Sequence, residues 1–161
     1  MDSNVCREHL EKLLTEEVSA LAQLEESLGR EHALLVDNNI DELDRAGELR
    51  QSCVATLIRI EDERRNLCCM LNVPADMHGL EQLLTWCDPT RGLRQRWAEC
   101  AERATRCRNS NERNGALVSA RLKRVEGLLD TLTGRANQPK VYGRQGGYDV
   151  SGRSGHVLAR V

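Results

Sequence analysis

The chain has no phenylalanine, and only two tyrosines and two tryptophans among 161 residues. A core of packed aromatic rings is therefore excluded, and large apolar volume has to come from leucine, which occurs 23 times. Apolar runs of the roughly 18 to 20 residues that cross a bilayer are lacking, so no membrane insertion is expected. Asp2, Arg7 and Glu8 in the first ten residues leave no apolar stretch of the kind a secretory signal needs. Seven cysteines make an odd count with no Cys-x-x-Cys pair, and Cys68 adjoins Cys69. That pattern fits neither a disulfide framework nor a zinc site, and it points to reduced thiols in a cytoplasmic protein. There is no glycine-rich strand-to-helix loop, no His-Glu-x-x-His and no nucleophile elbow. No enzyme, cofactor or metal is expected.

What is present is charge and leucine. Charged residues make up 30% of the chain, and the mean hydropathy is -0.53. Leucine, glutamate, arginine and lysine all favour helices, so an all-α fold follows. Leu14, Leu21, Leu28 and Leu35 recur every seven residues, with Leu10, Val18 and Leu24 widening the stripe, which predicts one amphipathic helix over 4–36. Asn39 followed by Glu42 reads as a capping box opening a second helix to about Leu71, with its seam at Leu43, Ala46, Cys53, Leu57, Ile60 and Leu67. Arg50 and Arg64 interrupt that seam, and their guanidinium groups are expected to reach outward to water.

Pro74 ends the second helix, and Gly79–Cys87 reads as a short connecting one. Asp88-Pro89 looks like an N-cap with proline at the first helical position, opening a third long helix to Leu132 that Gly134 and Pro139 terminate. The expected architecture is an elongated antiparallel bundle of three long helices plus a short one over 1–134. Residues 135–161 form a separate tail with five glycines and too little apolar surface to offset the entropy of ordering it, so it reads as disordered in the free protein. The tail carries Arg135, Lys140, Arg144, Arg153 and Arg160 against Asp149 alone, while the body is acidic. A nucleic-acid-binding domain would concentrate positive charge on its folded face, so no nucleic-acid partner is expected.

Two features of the third long helix bear on function. Asn111 and Asn114 fall on its core-facing stripe, either to fix register or because the helix ceases to be covered there. Beyond them, Leu117, Val118, Leu122, Val125, Leu128, Leu129 and Leu132 make a wide apolar face. That face is either ordinary core under a folded-back chain or a site for a partner's amphipathic helix. A coiled-coil protein that only associates with itself is the alternative reading of the same seams.

Both tyrosines lie in the tail, in Lys-Val-Tyr142-Gly143-Arg-Gln-Gly146-Gly-Tyr148. Two helices of similar length, a short connector, a longer last helix and a tail opening with Tyr142-Gly143-Arg144-Gln145-Gly146 resemble the FlgN family of flagellar export chaperones. The resemblance covers the whole chain in pattern and is local only in this tyrosine-glycine motif. It implies a cytoplasmic chaperone that binds hook-filament junction (hook-associated) proteins through their amphipathic terminal helices, prevents their premature assembly and delivers them to the cytoplasmic domain of the export gate. Under it the cargo face is Leu117 to Leu132, and the gate-docking role falls on Tyr142 with Gly143 and Gly146. Tyr148 and the Gly146-Gly147 doublet depart from the simple pattern and make Tyr148 a second candidate. Tyrosine suits such a role, because it offers a large apolar surface and a hydroxyl for the immobilisation of only two torsions.

Overall fold

A computed structural model describes residues 2–134, which form four helices: α1 (Ser3–Asp37), α2 (Ile40–Met70), α3 (Met77–Cys87) and α4 (Gly92–Leu132). The tail with Tyr142, Gly143, Gly146 and Tyr148 lies outside the described residues. By compactness the chain divides inside α4, into a unit Met1–Arg121 and a second one from Leu122 onward.

In the first unit, α1 and α2 run antiparallel across a tight turn. Asn38 takes up the left-handed conformation (φ 59°), which asparagine tolerates, and the Asn39 N–H donates to the Leu34 carbonyl at 3.0 Å. The Asn39 side chain accepts from the Glu42 N–H at 3.4 Å. Only half of the expected capping box is therefore present, because the Asn39 N–H already has its partner in the last turn of α1. Farther along the pair, the Ser27 hydroxyl donates to the Ala46 carbonyl at 3.3 Å, and Arg50 pairs with Glu31 at 3.0 Å.

The third long helix returns alongside α1 and in the same direction. Cys100 donates to the carbonyl of Leu14, Cys107 to that of Leu21, and the Asn114 amide to that of Leu28, at 3.9, 3.6 and 2.9 Å. Each partner is 86 positions earlier, so one heptad seam on α4 meets one heptad seam on α1 in constant register. The core is leucine and cysteine: Leu10, Leu14, Leu21, Leu28, Ile60 and Leu67 are all at most 4% exposed, and Cys6, Cys53, Cys68, Cys87, Cys100 and Cys107 fill the smaller gaps.

The connections around α3 depend on two aspartates. The Asp76 carboxylate accepts from the Gly79 N–H at 2.9 Å, capping α3. Asp88 ends α3 rather than beginning α4: its Oδ2 accepts from the Leu93 N–H at 2.8 Å and its Oδ1 from the Thr90 hydroxyl at 3.0 Å. Pro89-Thr90 forms a turn, Arg91 sits in the left-handed region (φ 59°), and the helix starts at Gly92. The expected start at Pro89 is thus three residues early, because Asp88 caps across an extra turn that proline also fits.

Candidate partner-binding face

Along α4 the heptad seam changes surroundings. Leu93, Cys100, Cys107 and Asn114 are 2 to 5% exposed. The next seam position, Arg121, is half-buried, and Leu35, 86 positions earlier, is the last buried residue of α1. From Leu122 onward every described residue of α4 is exposed. Leu117 is half-buried and Val118 is 42% exposed. Leu122, Val125, Leu128 and Leu129 lie between 51 and 59%, and Leu132 reaches 83%.

Helical periodicity places these side chains together. Val118, Val125 and Leu132 are spaced by seven, and Leu122 and Leu129 flank them on one side and Leu128 on the other. The face can bury an apolar helix laid along it, each large aliphatic side chain contributing about 1.5 to 3 kcal/mol on full burial. Its polar margin is Arg121, Lys123, Arg124, Glu126 and Asp130, weakly basic in sum.

The two asparagines separate. Asn111 is exposed, whereas Asn114 is 5% exposed and fully used. Its amide nitrogen serves the Leu28 carbonyl, and its oxygen lies 3.0 Å from His32 Nδ1, which is therefore the protonated ring nitrogen and donates. Asn114 fixes the α1–α4 register, and exposure of the seam begins just beyond it, whereas Asn111 is exposed and does not lie on the core-facing stripe as expected. His32 is half-buried in this arrangement.

Arg64 is the other correction. Its side chain is only 11% exposed, ion-paired to Glu17 and Glu61, with the guanidinium carbon 4.9 Å from the centroid of the Trp97 ring. The group turns inward because two carboxylates and an indole face satisfy it there. The signal for this in the sequence is a basic residue on a seam position with Glu61 three positions earlier on the same helix and Glu17 on α1. Arg50 pairs with Glu31, whose carboxylate is largely buried, while its own side chain stays 39% exposed.

Six thiols are buried, and burial raises each above the ordinary value, Cys6 and Cys100 to about 12. For Cys6 the neighbouring Cys87 and Cys68 add to the burial. Such thiols stay protonated and pack as small apolar groups. Cys69 alone is exposed. Among the described residues no group of three or more His, Cys, Asp or Glu side chains is arranged to hold a metal ion, and no helix is long and apolar enough to cross a membrane.

The described residues form an all-α fold whose last helix carries an exposed apolar stripe from Val118 to Leu132. The family model described as FlgN protein matches residues 1–149. The chain belongs to the FlgN family, the flagellar export chaperones. The matched span takes in Tyr142 and Tyr148. No curated protein and no solved structure gives a significant match.

Proposed function

We propose that this flagellar chaperone acts in the cytoplasm on hook-filament junction subunits, covering their amphipathic terminal helices with the α4 face from Leu117 to Leu132 and handing them to the export gate. The observation that carries this reading is the run of six aliphatic side chains, Val118 to Leu132, each at least 42% exposed along one side of one helix. Contiguous exposed apolar surface of this kind is costly in a free protein and is most simply explained by a partner helix. The ordering of cargo and tail opposes binding, so affinity is moderate and release at the gate is feasible. Tyr142, with Gly143 and Gly146 beside it and Tyr148 as a second anchor, would dock the loaded chaperone on the cytoplasmic domain of the gate.

Hydrogen exchange on the free chain and on its complex with a purified junction subunit tests the cargo reading. Protection gained across 117–132 on complex formation supports it. An unchanged exchange pattern in the presence of saturating subunit, or a stable self-associated oligomer that hides the same face without cargo, would remove it.

A further inference from the structure

A cleft opens within the first unit. Leu21, Leu24 and Leu28 of α1 form its floor, Val54 and Leu57 of α2 one wall, and Ala104 of α4 part of the other. Its volume is about 300 Å³. It exists because α4 stands farther from its neighbours than α1 and α2 stand from each other, touching α1 through side chains such as Cys107 and Asn114 rather than by close backbone approach. The antiparallel register explains the shape. Trp97 lies over Arg64 on one side, and seven residues along each helix the facing positions become Leu57 and Ala104, then Arg50 and Asn111. The small side chain of Ala104 leaves the space beside Leu57 open. Arg50 to Leu57 spans about 10 Å of helix, two turns.

The rim is cationic. Arg108 is exposed and has no carboxylate within salt-bridge distance among the described residues, while Arg50 beside it is part-exposed and paired with Glu31 at the edge of the cleft. The chain's own tail is basic, five cationic residues to one acidic, so charge disfavours it as the occupant. The α4 end of a second copy, weakly basic as well, is disfavoured for the same reason. An aliphatic floor about two turns long under an arginine rim fits a short amphipathic helix with carboxylates beside its apolar residues.

We propose that this cleft is a second docking site for cargo, taking a two-turn acidic amphipathic segment of the same subunit against α1, α2 and α4. This rests on the chaperone reading above and adds a contact separate from the α4 face. A subunit held at two separated places gains avidity from two weak contacts, and each can open in turn on delivery.

The test measures binding of a purified, unassembled hook-filament junction subunit to the full chain and to four variants. Arg108→Glu, Val54→Glu and the cleft-filling Ala104→Leu probe the cleft, and Val125→Glu probes the α4 face. The expected result is a loss of roughly tenfold or more for each cleft variant. Arg108→Glu should also flatten the salt dependence, and Ala104→Leu should bind more weakly while melting at or above the wild-type temperature. If Val54→Glu fails to fold, the exposed Arg108→Glu decides. Cleft variants that bind like wild type while Val125→Glu does not would overturn the second site and leave the chaperone reading intact. Failure of the wild type itself to bind overturns both. A dimer of the free chain that Arg108→Glu dissolves would give the cleft to a second copy and overturn the assignment to cargo.

Discussion

Asn114 reaches across from α4 to donate to the carbonyl of Leu28 on α1 at 2.9 Å, the last of three such contacts spaced seven residues apart. The two above it are made by cysteines, whose weak S–H donors leave register loosely specified. The amide at the end therefore does most to define the alignment of the two helices, as one buried asparagine does in a coiled coil.

Asn114→Ala is expected to cost about 1 to 3 kcal/mol, because it strands the His32 Nδ1–H and removes the amide bond to Leu28 in a site that is 5% exposed. Chemical denaturation measures this. His32→Ala in the Asn114→Ala background should cost little more, since the two side chains act as one network.

Arg64 and Arg59 form comparable ion pairs on neighbouring turns of α2 but differ in burial. Arg64→Ala leaves Glu17 without its cation and uncovers Trp97, and is expected to destabilise by about 3 kcal/mol. Arg59, half-exposed between Glu16 and Glu63, can be replaced by alanine with only a small change, because water and salt already screen those pairs. Thermal melts of both variants at low and high salt separate the cases, and equal losses would contradict the inward placement of Arg64.

A Cβ at position 79 would stand 1.7 Å from the Pro74 carbonyl oxygen, which is backbone and cannot rotate away. Gly79→Ala should therefore push α3 off the Pro74 turn and cost about 3 kcal/mol, toward the upper end for overpacking. Gly29→Ala, with open space around the added methyl, is the control and should be neutral or stabilising. Melting the two side by side checks the close approach.

These positions show what was legible beforehand. The leucine heptads of α1, the N-capping asparagine of α2 and the buried cysteines of α4 follow from local pattern, because period and capping chemistry act within a few residues. Arg64 over Trp97, and Gly79 against Pro74, depend on elements brought together from 33 and five positions apart by the chain's path, so residue type alone does not reveal them. The apolar stripe of α4 was visible as a stripe, but its exposure depends on α1 ending at Asp37, where the constant register runs out.

Stability should fall on the alkaline side. Unfolded thiols ionise near 9, whereas Cys6 and Cys100 do so at about 12 in the fold, chiefly through burial. Below pH 9 both states hold their protons and the fold is unaffected. Between 9 and 12 the unfolded chain releases protons that the folded chain keeps, so stability declines as pH rises through that window. Urea titrations at several pH values measure the slope, which Cys6→Ala should reduce. At pH 8, alkylation followed by intact-mass analysis should modify the exposed Cys69 rapidly and the six buried cysteines only as the protein opens.

The α4 face gives the prediction that separates binding from folding. Val125 and Leu128 are 51 and 58% exposed, so Val125→Glu and Leu128→Glu remove little buried area and are expected to leave the melting temperature nearly unchanged. A partner helix seated on the same stripe would have to desolvate the new carboxylate without a fixed counter-charge, so binding of a junction subunit should fall by at least tenfold. Leu21→Glu provides the contrast: at 4% exposure it should unfold the bundle before it affects any partner. Calorimetric titration and thermal melts on the same preparations test both halves. If Val125→Glu lowered the melting temperature as Leu21→Glu does, the stripe would be part of the core, and the cargo contact would have to be sought on another surface.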